Sequence, residues 1–184
     1  MIHFNQSLPI VLALSMTTSA ALAAGSFDTS PPKPTPTTTE CADGMIWDEA
    51  SEACVDPNSA ALDEGTLMRA IREFAYMGQF DHARTAIDAL SGLDQPSDFA
   101  LTYLGFVERK LGNTHAAQAY YQQALIQNPN NLLALSYMGQ GYVADGQIAL
   151  ARAALTQIRQ KGGRGTWPEQ ALRLAIQGGT PPSY

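Results

Sequence analysis

The sequence repeats itself with a period of 34 residues, and this periodicity constrains the fold more than any other feature. Three blocks of that length, residues 64–97, 98–131 and 132–165, align without gaps. Every block has glycine at its fifteenth position and alanine at its twentieth, namely Gly78, Gly112 and Gly146, and Ala83, Ala117 and Ala151. A period in this range is typical of solenoid proteins, in which each unit packs only against its neighbours.

Each block has the pattern of two helices. Apolar or small residues stand at positions 4, 7, 8 and 11, with Glu108 of the middle block the one exception, and again at positions 20, 24 and 27. Spacings of three and four residues place each set on one face of an α-helix. The glycine between the two sets tolerates the left-handed conformation that is common just past a helix end. Each block is therefore predicted to be an antiparallel helix pair, which buries both apolar faces by stacking on the next block.

These blocks resemble tetratricopeptide repeats. The middle block matches that pattern best, with Leu104, Gly105, Ala117, Tyr121 and Pro129 at positions 7, 8, 20, 24 and 32. The first block has isoleucine in place of the glycine, and the third block lacks the proline. The resemblance implies an all-α fold, an α-solenoid of three tetratricopeptide helix pairs.

The chain after the third block predicts one more helix. Residues 166–177 place Thr166 at an N-cap position and Pro168 in the first turn, where the missing backbone donor costs nothing. This helix is expected to cap the exposed face of the third repeat. The whole repeat domain is predicted to span residues 62–178.

The N-terminus has the pattern of an export signal. Residues 1–24 contain a short apolar run, Leu8 to Leu14, followed by small residues that suggest cleavage near Ala23 and Ala24. The run is too short to span a bilayer. No lysine or arginine precedes it, so a disordered apolar start is the alternative. A signal peptide would place the protein in the periplasm or outside the cell.

The segment after the signal is rich in proline and threonine. Residues 25–40 carry four prolines, which remove backbone donors and favour an extended backbone. We therefore expect this linker to be a semi-rigid spacer rather than a packed element, within a disordered N-terminal region.

Residues 41–55 contain the two cysteines of the chain. In an exported protein this pair predicts a disulfide between Cys41 and Cys54. The spacing of the cysteines around Gly44 and Trp47 resembles the last cysteine segment of peritrophin-type chitin-binding modules, over about fifteen residues. That resemblance implies binding of a glycan or wall component. The alternative is a small disulfide-clipped segment with no binding role.

No residue pattern indicates catalysis, a metal site or a cofactor. His82 and His115 fall in the first turns of second helices, where we expect them to be solvated and far from any triad. Two cysteines are too few for a zinc site. The net charge of −6 argues against a general nucleic-acid binder, which needs a concentrated basic face. The protein is therefore predicted not to be an enzyme.

By the same family resemblance, a partner would bind in the concave groove formed by the first helix of each repeat. The residues predicted to line this groove are Met68, Arg72, Tyr76, Phe99, Thr102, Phe106, Arg109, Lys110, Ser136 and Gln140. Aromatic side chains can anchor a peptide, and arginine can orient a carboxylate. The alternative for Phe99 and Phe106 is that they only pack against neighbouring helices.

The predicted function is a periplasmic or secreted protein–protein interaction scaffold that binds a protein or peptide segment, with an acidic one favoured by the three cations. The alternatives are a cell-envelope module that holds a glycan through the Cys41–Cys54 segment, and a subunit whose repeats serve self-association. Residues 25–63 carry eight acidic residues against one lysine. This appendage either competes with an acidic partner for Arg72, Arg109 and Lys110, or is a solvated tail.

Overall fold

The computed structural model describes Met1 and residues 32–92 and 95–179. The predicted signal peptide and most of the linker lie outside the described residues. The helices of the described part are α1 (Pro36–Thr39), α2 (Glu64–Tyr76), α3 (Phe80–Ser91), α4 (Asp98–Lys110), α5 (Thr114–Gln127), α6 (Leu132–Ala144), α7 (Ile148–Gln160) and α8 (Trp167–Ile176). Its strands are β1 (Ile46–Asp48) and β2 (Ala53–Val55).

The predicted solenoid is confirmed. Helices α2, α4 and α6 start at the first residues of the three sequence blocks, and each packs against the helix that follows it. The connecting turns pass through Gly78, Gly112 and Gly146, whose φ angles of 74°, 85° and 72° lie in the left-handed region. A side chain would be strained there, so the repeated glycines let each pair turn back tightly.

Side-chain caps explain where the first helices begin. Asp63 accepts a hydrogen bond from the backbone N–H of Thr66 at 2.6 Å, and Asn131 accepts one from Ala134 at 2.8 Å. Ser97 does the same for α4 at 3.2 Å. Each cap satisfies a backbone donor that the helix itself leaves open.

Glycines at the eighth position of the second and third repeats bring the helices close together. A Cβ atom added to Gly105 would lie 2.5 Å from Cε1 of Tyr121. One added to Gly139 would lie 2.6 Å from Cδ2 of Leu172, on α8. The predicted capping helix is thus present, and it packs against α6 through a fully buried leucine.

The N-terminal part forms a small module of its own. Strands β1 and β2 pair as an antiparallel hairpin in which Trp47 lies opposite Cys54. The predicted disulfide joins Cys41 and Cys54, with an S–S distance of 2.02 Å. Ile46 and Asp48 are buried, while Trp47, on the other face of the strand, is half-buried.

This N-terminal module, residues 35–55, packs on the first repeat. Ile46 is completely buried in the same apolar cluster as the core residues of α2 and α3. The backbone N–H and hydroxyl of Thr35 each donate to the Glu73 carboxylate at 2.7 Å, and the Thr38 hydroxyl donates to it as well. Glu73 is only 2% exposed. These hydrogen bonds replace the water that the buried carboxylate has lost.

The expectation of an unpacked spacer is therefore wrong for the C-terminal end of the linker. Pro36 occupies the first turn of α1, and the Thr35 side chain caps that helix by accepting from Thr37. Proline is favourable in a first turn, so the run that suggested an extended chain instead begins a helix.

His82 is less accessible than the solvated side chain that the sequence predicted. It is half-buried between Gly44 and the Phe74 ring, whose centroid lies 5.6 Å from that of the histidine ring.

Candidate partner-binding surface

A row of aromatic rings connects the first helices of all three repeats. Tyr76 of α2 stacks on Phe106 of α4 with ring centroids 5.2 Å apart. Phe106 in turn contacts Tyr137 of α6 edge-on at 5.0 Å. The hydroxyls of Tyr76 and Tyr137 are hydrogen-bonded at 2.7 Å. Because the row crosses two repeat boundaries, it fixes the relative positions of the inner helices.

The buried tyrosines of this row carry no charge at neutral pH. Burial raises the pKa of Tyr103 and that of Tyr137 well above the usual value of 10.0, because an ionised phenol would lose its hydration. Tyr103 lies between Phe99, with ring centroids 4.8 Å apart, and Tyr137, at 6.3 Å. The aromatic row is therefore an uncharged support for the side chains that lie above it.

Two adjacent cations lie above this aromatic row at the end of α4. The Arg109 guanidinium carbon is 5.4 Å from the centroid of Phe106 and 5.9 Å from that of Tyr137. The Lys110 Nζ is 5.6 Å from the centroid of Phe106. Such cation–π contacts stabilise the two side chains in place. Burial, followed by the charge of Arg109, lowers the pKa of Lys110.

Neither of these cations forms an ion pair within residues 32–92 and 95–179. Arg84 and Arg159, by contrast, pair there with Glu108 and Glu169. In the described part of the chain, the acidic residues of the N-terminal appendage make no ion pair with Arg109 or Lys110. The positive charge of this pair is therefore not neutralised by the part of the protein that the structure describes.

The ten predicted groove residues all lie on α2, α4 and α6, but they differ in accessibility. The buried ones are Arg72, Phe99, Thr102, Phe106 and Ser136. The half-buried ones are Met68, Tyr76, Arg109 and Gln140, and Lys110 is exposed. The accessible surface is therefore smaller than the predicted groove. We use the name α4-end surface for Tyr76, Arg109 and Lys110, which all contact the Phe106 ring.

Internal hydrogen bonds explain the burial of the two predicted hydroxyl residues. Thr102 donates to the backbone carbonyl of Asp98 at 2.6 Å and accepts from Asn131 at 3.0 Å. Ser136 donates to the backbone carbonyl of Pro168, on α8, at 2.8 Å. Both hydroxyls thus join one helix pair to its neighbour. The burial of the two phenylalanines likewise agrees with the alternative that they pack against neighbouring helices.

Sequence reasoning left Tyr103 and Tyr137 out of the candidate site. They hold the sixth position of two consecutive blocks, and equivalent positions of adjacent repeats lie next to each other in a solenoid. Two aromatic residues at one repeat position are a signal that could have identified the row. Gln118 and Tyr121, which lie on α5 beneath Arg109, had no such signal.

Residues 32–92 and 95–179 contain no group of three or more His, Cys, Asp or Glu side chains suited to hold a metal ion. No helix among the described residues combines the length and apolar character needed to cross a membrane.

The stacked helix pairs define a helical-repeat protein of the α-solenoid type. Residues 98–131 match the family described as Tetratricopeptide repeat. No curated protein and no solved structure gives a significant match. The family match to the middle block and the three helix pairs support a tetratricopeptide-repeat protein. Solenoids of this class typically form protein–protein interaction modules and are typically non-catalytic.

Proposed function

We propose that this protein is a non-catalytic scaffold that binds an acidic segment of a partner protein on the α4-end surface. The observation that carries the proposal is the cation pair of Arg109 and Lys110, which is held over aromatic rings and has no acidic partner in the described part of the chain. Both cations lie in the last turn of α4, where the helix dipole also favours positive charge.

The pair is suited to carboxylates. A guanidinium can donate two parallel hydrogen bonds to one carboxylate, and such charge-assisted bonds are stronger than neutral ones. Protein atoms that displace water around Nζ lower the pKa of the otherwise exposed Lys110, and a bound carboxylate would favour its charged form. The half-buried Tyr76, whose ring stacks on the Phe106 ring beneath both cations, provides apolar contact beside the charges.

A selection of random peptides tests this proposal. We expect a displayed library to enrich sequences rich in Asp and Glu on the full chain. The variant with Arg109→Glu and Lys110→Glu should lose binding of those peptides by more than about tenfold, since each charged hydrogen bond is worth about 1.5–3 kcal/mol. Enrichment of neutral or basic peptides on the unaltered chain would contradict the proposal.

A matched control reverses two other charges. Arg152 and Arg164 are exposed and lie away from the α4-end surface, on α7 and after it. The Arg152→Glu, Arg164→Glu variant changes net charge equally and should retain binding. Light scattering on the same samples separates partner binding from self-association, which predicts a dimer in the absence of any peptide.

We also propose that the protein works in the periplasm or another extracytoplasmic space. The Cys41–Cys54 disulfide supports this location, since disulfides persist in oxidising compartments. Expression of the full chain in bacteria, followed by fractionation and mass spectrometry, should find a mature protein that begins near residue 25 in the exported fraction. An uncleaved chain confined to the cytoplasm would refute the proposed location.

Glycan binding by the hairpin is a second candidate function. Trp47 is half-buried on the face of β1 that points away from the buried Ile46 and Asp48. An aromatic ring with one accessible face on a disulfide-closed hairpin can stack on a sugar. Retention on an insoluble polysaccharide should then disappear in Trp47→Ala and persist in Arg109→Glu. The scaffold proposal predicts no retention by either protein.

A further inference from the structure

Three buried polar atoms of the middle repeat lie together without hydrogen-bond partners. They are Nε of Arg109, Oε1 of Gln118 and the hydroxyl oxygen of Tyr121. Buried polar groups in native proteins are nearly always hydrogen-bonded, so three such atoms in one place indicate a function or an arrangement that pairs them. Tyr121 is completely buried, and an apolar ring would fill its site without a hydroxyl.

The three side chains converge on one glycine and one tyrosine. A Cβ atom added to Gly141 would lie 2.8 Å from Nε2 of Gln118 and 3.6 Å from Cδ of Arg109. Both side chains therefore pass through space that only glycine leaves open on α6. Tyr137 borders the same space, since Arg109 lies over its ring and the Tyr121 ring centroid is 6.4 Å from its own.

The charge of Arg109 also acts on the Tyr121 hydroxyl. Burial raises the pKa of Tyr121 to about 12, and the positive charge of Arg109 acts in the opposite direction.

The arrangement belongs to the middle repeat alone. At the position of Arg109 the other blocks have alanine and valine, and at the position of Tyr121 they have isoleucine and leucine. General helix packing therefore does not require a polar group at either position. Arg109 and Tyr121 occur only in the repeat that carries the cation pair.

We infer that Tyr121 and Gln118 are positioning residues that orient Arg109 for a partner's carboxylate. Nε–H of Arg109 donates to the hydroxyl oxygen of Tyr121, and that hydroxyl donates to Oε1 of Gln118. These two bonds satisfy all three buried atoms, since their donors and acceptors match in number. With Nε turned inward, a carboxylate can approach only the terminal nitrogens of Arg109. The carboxylate part of this inference rests on the proposed function, whereas the side-chain relay does not.

Nuclear magnetic resonance of arginine side chains tests the relay without a partner. The Nε–H proton of Arg109 should exchange slowly with water in the full chain, and its signal is assigned by its loss in Arg109→Lys. In Tyr121→Phe and in Gln118→Leu we expect its exchange to be at least about tenfold faster, because each variant breaks the relay. Tyr120→Phe, which alters the neighbouring hydroxyl on the same helix, should leave the exchange rate unchanged. Equal exchange in the unaltered chain and in Tyr121→Phe would overturn the inference.

Peptide binding tests the consequence for recognition. The probes are the most enriched acidic peptide from the library selection and its analogue with every Glu and Asp replaced by Gln and Asn. Tyr121→Phe should weaken binding of the acidic peptide about three- to tenfold and leave any binding of the neutral analogue unaltered. Unchanged affinity in a variant with accelerated Nε–H exchange would overturn the role in recognition. Failure of the selection to yield any acidic peptide would refute the proposed function. The exchange measurement would still show whether the hydrogen bonds among Arg109, Tyr121 and Gln118 form.

Discussion

Removing the disulfide tests whether the N-terminal module and the repeats fold as one unit. The double variant Cys41→Ser, Cys54→Ser opens a loop whose ends are separated by 13 positions. On the chain-entropy model such a crosslink contributes about 3 kcal/mol by restricting the unfolded chain. Ile46 is fully buried in the apolar cluster of α2 and α3, so we expect this loss to appear in the unfolding of the whole protein.

The expected result is a single thermal transition at a lower temperature. For a chain of this size, 1 kcal/mol corresponds to a change in Tm of roughly 2–4 °C, so the double variant should melt roughly 6–12 °C lower. Helix content is followed by circular dichroism at the helical wavelength, which reports mainly on α2 to α8. The same measurement on the unaltered protein, with and without a dithiol reductant, provides a second route to the open loop.

Two further variants separate the possible causes of such a shift. Ile46→Ala keeps the disulfide but removes the buried contact, and it should cost roughly 2–5 kcal/mol in the same transition. Glu49→Gln, at an exposed site in the hairpin turn, alters the module without touching the interface and should have a much smaller effect. A helical transition that keeps its midpoint in both the double variant and Ile46→Ala would refute joint folding of the module and the repeats.

Three more predictions concern the repeats. Gly105→Ala should lower the free energy of unfolding, measured by chemical denaturation, by about 1–2 kcal/mol, because overpacking against the Tyr121 ring outweighs the gain in helix propensity. Gly65→Ala is the control: its added Cβ would meet only ordinary contacts, so this variant should be as stable as the unaltered protein or more stable. Asn131→Ala should cost about 2 kcal/mol, measured in the same way, since it removes the cap of α6 and two hydrogen bonds between repeats. The hydrogen bond from Asn113 lowers the pKa of Glu108 below its usual value of 4.5, so its contribution to stability is complete above that pH and disappears as the pH falls further. Stability measured between neutral pH and pH 3 should therefore decline less in Glu108→Gln than in the unaltered protein; a parallel decline in both would contradict the assignment.

The acidic appendage now has a more limited role than its composition suggested. Its described part is attached to α2 through Thr35, Thr38 and Ile46. Of its eight acidic residues, only Asp28 lies before this attachment, so we expect little competition with a partner for the α4-end surface. A deletion that ends before residue 32 should therefore leave the binding of acidic peptides unchanged at low salt; tighter binding would show that the residues before the module compete.

Much of the fold could be read from local patterns in the sequence. The 34-residue period and the glycine at each turn are both local signals, and local hydrogen bonds act on them directly. They located the starts of α2, α4 and α6 and the presence of α8. The disulfide pair could likewise be predicted, because the chain has only two cysteines.

Contacts between distant parts of the chain were decided only by the tertiary structure. Nothing near Glu73 in the sequence shows that its carboxylate accepts hydrogen bonds from Thr35 and Thr38, which lie 38 and 35 positions earlier in the chain. The family pattern placed ten residues on one concave face, yet aromatic packing and hydrogen bonds to the next helix bury five of them. Periodicity specifies which face of a helix points inward. How deeply a side chain on that face is covered depends on the size and position of its neighbours on other helices, which periodicity does not encode.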